Sequence, residues 1–182
     1  IIDALAKCPS FPDNISDCDD TQVIVKALQE MPDVIDIKAA GTAMRFLTAY
    51  LSVTPGEHTI TGTERMKHRP IGILVNALRH LGADIEYLEE EGFPPLRIKG
   101  SELKGGELEL SGNVSSQYIS ALLMVGPALR NGLKLKLTGD IISRPYIDLT
   151  LCTMREFGAK VEWSDIDTVS VEPQPYCQRD YL

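Results

Sequence analysis

The residues best suited to chemistry are hydroxyls, an amide and arginines set just ahead of apolar stretches. Between Gly112 and Met124 the chain reads GNVSSQYISALLM. Gly112 and Asn113 supply turn chemistry. Ser115, Ser116 and Gln117 follow, and Tyr118 to Val125 is then apolar but for one Ser. That order predicts a Ser-capped helix whose body is apolar on nearly every side, and such a helix is buried. The first N–H groups of a helix lack internal partners and carry partial positive charge. Hydroxyls and an amide beside them suit an anion. Three further runs share the pattern: Gly41 and Thr42 with Arg45, Arg69 before Pro70, and Ser143 with Arg144 before Pro145. Arginine early in a helix opposes the macrodipole, and a bound anion reverses that penalty. Its planar fork matches phosphate and carboxylate. A single such arginine is better explained by a carboxylate partner such as Glu64 or Asp140. The set as a whole predicts anion binding.

Several elements must position these groups. Residues 19–31 predict an amphipathic helix with Val23, Ile24, Ala27, Leu28 and Met31 as its stripe. Asp19 is expected to cap it, with Gln22 at the capping-box position. The Asp19–Asp20 pair therefore reads as a helix start and not as metal ligands. Gly41 and Thr42 open a second, mostly apolar helix. A strand is expected at His58–Thr61 and a polar loop at Gly62–His68. A third helix is expected to start at Arg69–Pro70, since the first helical position tolerates proline. Gly82 ends it. Asp84–Leu88 and Leu96–Lys99 predict a hairpin, and Gly106–Ser111 alternates as a half-buried strand.

The same events then recur. Leu133, Leu135 and Leu137 alternate with polar residues. Thr138-Gly139 repeats Thr61-Gly62, Arg144-Pro145 repeats Arg69-Pro70, and Gly158-Ala159 repeats Gly82-Ala83. A last hairpin is expected over Lys160–Trp163 and Thr168–Glu172. The offset is about 75 residues throughout, which suits a duplicated α/β module and not a solenoid unit. The expected repeats cover approximately 37–111 and 112–182.

Composition narrows the classes. The 182 residues are 43% hydrophobic, enough for one sizeable core. The net charge of -8 argues against a nucleic-acid partner held by a basic field. No apolar run is long enough to span a membrane. Cys8, Cys18, Cys152 and Cys177 lack metal-site spacing with one another or with His58, His68 and His80, so reduced, partly buried thiols and no metal are expected. The opening IIDALAKC has no basic leader with a long apolar core and no Met. A cytoplasmic piece of a longer protein is expected.

GTAMR at 41–45, ERMKHRPIG at 64–72, SSQY at 115–118 and GDIISRPYID at 139–148 closely resemble the 5-enolpyruvylshikimate-3-phosphate synthase family. The resemblance covers nearly the whole chain. It implies an α+β fold of repeated βαβαββ units, with parallel helices packed inside β-sheets. It implies two similar lobes of three units each, and residues 1–182 as most of one N-terminal lobe, truncated at both ends. It implies transfer of the enolpyruvyl group of phosphoenolpyruvate to the 5-hydroxyl of shikimate 3-phosphate, with release of phosphate, in aromatic amino acid biosynthesis. No cofactor is implied. The partners implied are the two small-molecule substrates and the C-terminal lobe of the same chain, in a monomer that engages neither nucleic acid nor membrane.

Position by position, the resemblance places Ser115, Ser116, Gln117, Ser143 and Tyr146 against shikimate 3-phosphate. It places Gly41, Arg69 and Gln117 against phosphoenolpyruvate, with Thr42 and Arg45 shaping that pocket. No catalytic residue is assigned within the chain, because the family's Lys-Ser-x-x-x-Arg segment and its acid–base carboxylates match nothing here. Half a site and no turnover are expected. Ala39 stands where the family has Asn, Phe46 where it has Pro, and His68 where it often has Glu. The segment from Met31 to Gly41 is short for the family, so the first repeat is expected to lack a strand. Two rival readings remain: the related transferase acting on UDP-N-acetylglucosamine, whose cysteine-bearing loop finds no match, and a noncatalytic anion-binding module of the same fold.

Overall fold

The computed structural model describes residues 1–8 and 14–179. Two four-stranded sheets share one wiring. In the first, β1 (Val34–Asp36) leads through α3 (Gly41–Val53) to β2 (Gly56–Thr61). The chain continues through α4 (Glu64–Lys67) and α5 (Gly72–His80) to β3 (Asp84–Tyr87) and β4 (Leu96–Gly100), in the order β1-β2-β4-β3. In the second, β5 (Gly106–Ser111), α6 (Ser116–Val125), β6 (Leu133–Thr138), α7 (Arg144–Glu156), β7 (Val161–Asp165) and β8 (Thr168–Val171) repeat it as β5-β6-β8-β7. Each unit is βαβαββ, with its first two strands parallel and its last two antiparallel. A parallel pair needs a crossover, and one helix supplies it in each unit. Ahead of the first unit lie α1 (Ile2–Leu5) and α2 (Asp19–Glu30), the latter packed on α3.

The strand expected to be missing is present. β1 is three residues long and pairs Val34 to Asp36 with Thr59 to Thr61. Only Ile35 of the three is buried, too short a pattern to register as alternation. Hydrogen bonding also joins each leading strand to the strand beyond the helix that follows it. The sheets therefore span 34–100 and 106–171, whereas the expected repeats began at the helices.

The core lies between the sheets, around α3 and α6, which pack on each other. Residues Tyr118 to Val125 of α6 are all buried, as are ten of the thirteen residues of α3. Two buried hydroxyls of α3 are satisfied within the helix. Thr48 donates to the Met44 carbonyl at 2.6 Å and Ser52 to that of Thr48 at 2.8 Å. The second helices, α5 and α7, bury one stripe each: Leu74, Val75, Ala77 and Leu78 in one, Ile147, Leu151 and Met154 in the other. Both end where glycine takes a left-handed conformation, at Gly82 (φ 110°) and Gly158 (φ 79°).

Four local expectations differ. The polar loop expected at Gly62–His68 contains the short helix α4, capped by Thr63. Cys18, not Asp19, caps α2, and Asp20 instead reaches α3. The third helix starts at Gly72, because Arg69 closes the preceding short helix on the Met66 carbonyl. A residue before proline is also pushed out of the helical region. The thiols of Cys18, Cys152 and Cys177 are exposed and free, whereas partly buried ones were expected; Cys8 is half-buried. No helix among the described residues is long and apolar enough to cross a membrane, and no group of three or more His, Cys, Asp or Glu there could hold a metal ion.

Candidate functional site

The two units meet at the starts of their first helices. Thr42 and Gln117 correspond across the repeat offset, and the Gln117 amide nitrogen donates to the Thr42 hydroxyl at 3.0 Å. The Gln117 carbonyl oxygen accepts from Arg45 Nη1 at 2.8 Å. The same Nη1 donates to the Gly41 carbonyl at 3.0 Å. Arg45 also lies over the Tyr118 ring, 5.1 Å from its centroid. The Tyr118 hydroxyl donates to the Pro70 carbonyl at 2.7 Å, fastening the Arg69–Pro70 turn to α6. Asp20 Oδ1 accepts from the Thr42 backbone N–H at 2.9 Å, so one donor at the α3 start is already taken.

Gly41 sits between two guanidiniums. A Cβ placed on it would lie 2.5 Å from Arg69 Nη1 and 3.1 Å from Arg45 Nη1. Only a residue without a side chain leaves both groups where they are. Arg69 is exposed, and its guanidinium has no ion-pair partner among the described residues. Glu64, a carboxylate that could have claimed it, pairs with Lys67 at 3.4 Å.

Of the second group of expected residues, Ser116, Gln117 and Tyr146 line a groove between α6 and α7, while Ser115 and Ser143 are the N-caps of the two helices. Ser115 is the exposed N-cap of α6, and its hydroxyl accepts from the Gln117 N–H at 3.4 Å. Ser116, Gln117 and Tyr146 line a groove of about 330 Å³ together with Phe46, Ser120 and Leu149. Tyr146 is 66% exposed, in the first turn of α7. Ser143 is the N-cap of α7, half-buried, and its side chain makes no capping bond. Gln117 belongs to both groups, so one side chain joins the Gly41–Arg69 corner to the groove. Arg144 belongs to neither. It stacks on Trp163 at 3.8 Å and donates to the Ile166 carbonyl at 2.8 Å, and so is removed from the expected set of anion ligands.

Chemically, this is a donor-rich surface: two guanidiniums, hydroxyls at three helix starts and one amide, around a glycine that permits close approach. It suits an anion that is planar or tetrahedral. Asp20 and Tyr118 escaped the sequence reading. Asp20 acts on a helix other than its own, and Tyr118 looked like one more apolar position.

A family model described as EPSP synthase (3-phosphoshikimate 1-carboxyvinyltransferase) matches residues 4–181. The chain belongs to the EPSP synthase family. A protein of Bacteroides fragilis named 3-phosphoshikimate 1-carboxyvinyltransferase is 69% identical over 97% of this chain and 43% of its own length. One of the same name from Shewanella halifaxensis is 48% identical over 74% of this chain and 32% of its own. The chain thus spans less than half the length of the curated relatives it matches. Among solved structures, an EPSP synthase from Acinetobacter baumannii overlays 97% of this chain and 45% of that one, with a TM-score of 0.77 at 20% identity. That likeness shows the fold: an α+β lobe of the enolpyruvyl transferase type. EPSP synthase membership also accounts for the ordering of the four motifs, each of which falls at a helix start facing the site or in the turn beside it.

Proposed function

We propose that this chain is one lobe of a 3-phosphoshikimate 1-carboxyvinyltransferase. The complete enzyme moves the enolpyruvyl group of phosphoenolpyruvate to the 5-hydroxyl of shikimate 3-phosphate and releases phosphate, a step of aromatic amino acid biosynthesis. The observation that carries the reading is the junction at Gly41, where motifs distant in sequence bring Arg69, Arg45, Thr42 and Gln117 together. In this reading Arg69 pairs with the anionic groups of phosphoenolpyruvate and Gly41 lets its backbone come close. Ser115, Ser116 and Ser143 donate to the phosphate of shikimate 3-phosphate, Tyr146 lines its ring, and Gln117 touches both. Thr42 and Arg45 shape the pocket.

Enolpyruvyl transfer needs acid–base groups that act on the double bond, and no carboxylate stands among these residues except Asp20, already bound to Thr42 N–H. The opposite lobe of the same polypeptide supplies them. Closing two lobes over two anions excludes water and strengthens each contact. The work is positioning and charge stabilisation, with no part assigned to a cofactor or a metal ion. In this reading the enzyme works as a cytoplasmic monomer.

Phosphate-release assays test this. The two-lobed parent protein is expected to turn over, and the 182-residue chain to release nothing above a no-enzyme control. Turnover by the isolated chain, or none by the parent, would refute the proposal. Crystals grown in sulfate or phosphate are expected to hold an ion near Ser115, Ser116 and Ser143.

A further inference from the structure

Arg45 presents an unusual electrostatic situation. It is 8% exposed, and its Nε is buried without a hydrogen-bond partner. Its direct contact partners are neutral: the Gly41 carbonyl, the Gln117 carbonyl oxygen and the Tyr118 ring. The ion pairs among the described residues draw their cations from Lys67, Arg97, Arg130, Lys134, Lys136 and Lys160. The nearby carboxylate of Asp20 is bonded to the Thr42 N–H. A second guanidinium, from Arg69, approaches Gly41 Cα from the same side, which puts the two Nη1 atoms within roughly 6 Å, close enough for like charges to act strongly on one another. Buried charges are ordinarily paired. This one is not, and its neighbour adds to the repulsion.

The hydrogen bonds also fix the Gln117 amide. Its oxygen is held by Arg45, so its nitrogen must face Thr42. Thr42 Oγ1 uses one of the two amide protons, and the other is left for the site. Were the amide to flip, its NH2 would meet a guanidinium that only donates. Arg45 therefore decides which end of Gln117 the groove sees.

We propose that Arg45 is a positioning residue. Its buried guanidinium locks Gln117 with the amide nitrogen outward, and its counter-charge is the anion that binds beside Gly41. The inference rests on the enolpyruvyl-transfer reading only for the identity of that anion.

The test uses inorganic phosphate as the probe on the 182-residue chain, with calorimetric titration, thermal melts and amide NMR. Arg45→Met is expected to weaken phosphate binding about tenfold or more, the scale of losing charge-assisted contacts. It is also expected to move the Gln117 side-chain NH2 signals toward those of a free amide, a change that a packing role alone would not produce. Gln117→Glu carries the opposite sign: it places a carboxylate on Arg45, with Thr42 turning to donate, so the melting temperature without phosphate rises while phosphate binding falls. Should Arg45→Met not fold, Gln117→Glu decides alone. Unchanged phosphate affinity or unchanged Gln117 signals in Arg45→Met would overturn the proposal. So would a lowered melting temperature in Gln117→Glu, or an unaltered chain that binds no phosphate. Failure of the enolpyruvyl-transfer reading looks different: phosphate still binds through Arg45, while the two-lobed parent does not turn over.

Discussion

The two βαβαββ units carry the same marks in the same order, yet their paired arginines have opposite fates. Arg144 opens α7 and is consumed there, stacked on Trp163 and donating to Ile166. Arg69 stands three residues ahead of α5, in a turn held by Tyr118, and points its guanidinium to Gly41. One proline-marked arginine is tied into its own unit, and the other has no ion-pair partner among the described residues. The difference lies in what faces each arginine. β7 of the second unit presents Trp163, whose indole N–H is itself anchored by Asp148 at 2.8 Å. Duplication supplied two equivalent cations, and the neighbours decided which one stayed available.

The sharpest way to break the comparison is in the core, where the units should behave alike. Leu47 and Leu122 occupy corresponding positions in α3 and α6, and both are fully buried. Leu47→Ala and Leu122→Ala are each expected to cost about 2–5 kcal/mol in denaturant unfolding. Similar costs, with one shared transition, mean that the two units share a single core. A second transition in either variant would mean two separately folding modules.

The arginines should then behave differently. Arg69→Ala removes an exposed, unpaired side chain, so the melting temperature should hardly move. Phosphate affinity should fall by roughly 1.5–3 kcal/mol, the range for hydrogen bonds to a charged group. Arg144→Ala should leave phosphate binding intact and lower stability by about 1–2 kcal/mol, from the lost ring stacking and the lost bond to Ile166. Equal effects of the two substitutions on binding would return Arg144 to the site.

Much of this was legible from the chain. The repeat showed because glycine and proline mark φ requirements that survive as fixed spacings: Gly82 and Gly158 both adopt positive φ, as their shared offset implied. Burial of α3 and α6 showed because an apolar run with few polar interruptions has nowhere else to go. The Ser115 cap lay where hydroxyl chemistry put it. Other features left no periodic trace. β1 has one buried residue, below any pattern. Arg69 and Arg144 are both followed by proline, and that shared mark does not separate a free guanidinium from a stacked one. The bonds of Asp20 to Thr42 and of Arg45 to Gln117 join positions 22 and 72 residues apart, and polar pairs at that range have no spacing rule.

A final contrast lies where each unit ends. After β4 the chain turns back on α3, with the Ser101 N–H on the Ser52 carbonyl and Leu103 buried. After β8 the corresponding turn places the Gln174 N–H on the Pro127 carbonyl, but the buried residue that follows is Tyr176, and its hydroxyl donates to the Met124 carbonyl at 2.8 Å. Burial pushes the Tyr176 phenol well above its ordinary value. The folded state therefore keeps a proton that the unfolded chain releases near pH 10. The contribution is fully present below that pH and is lost as pH rises, at up to about 1.4 kcal/mol per pH unit, because the unfolded state then binds fewer protons. Tyr176→Phe should cost about 1 kcal/mol at neutral pH, for the missing hydrogen bond. It should also flatten the fall in stability between roughly pH 10 and 11 relative to the unaltered chain, since phenylalanine has nothing to ionise. Unfolding curves across that range check both effects. A slope unchanged by Tyr176→Phe would mean that the phenol ionises in place and that this strap, like Leu103 in the first unit, holds by apolar contact alone.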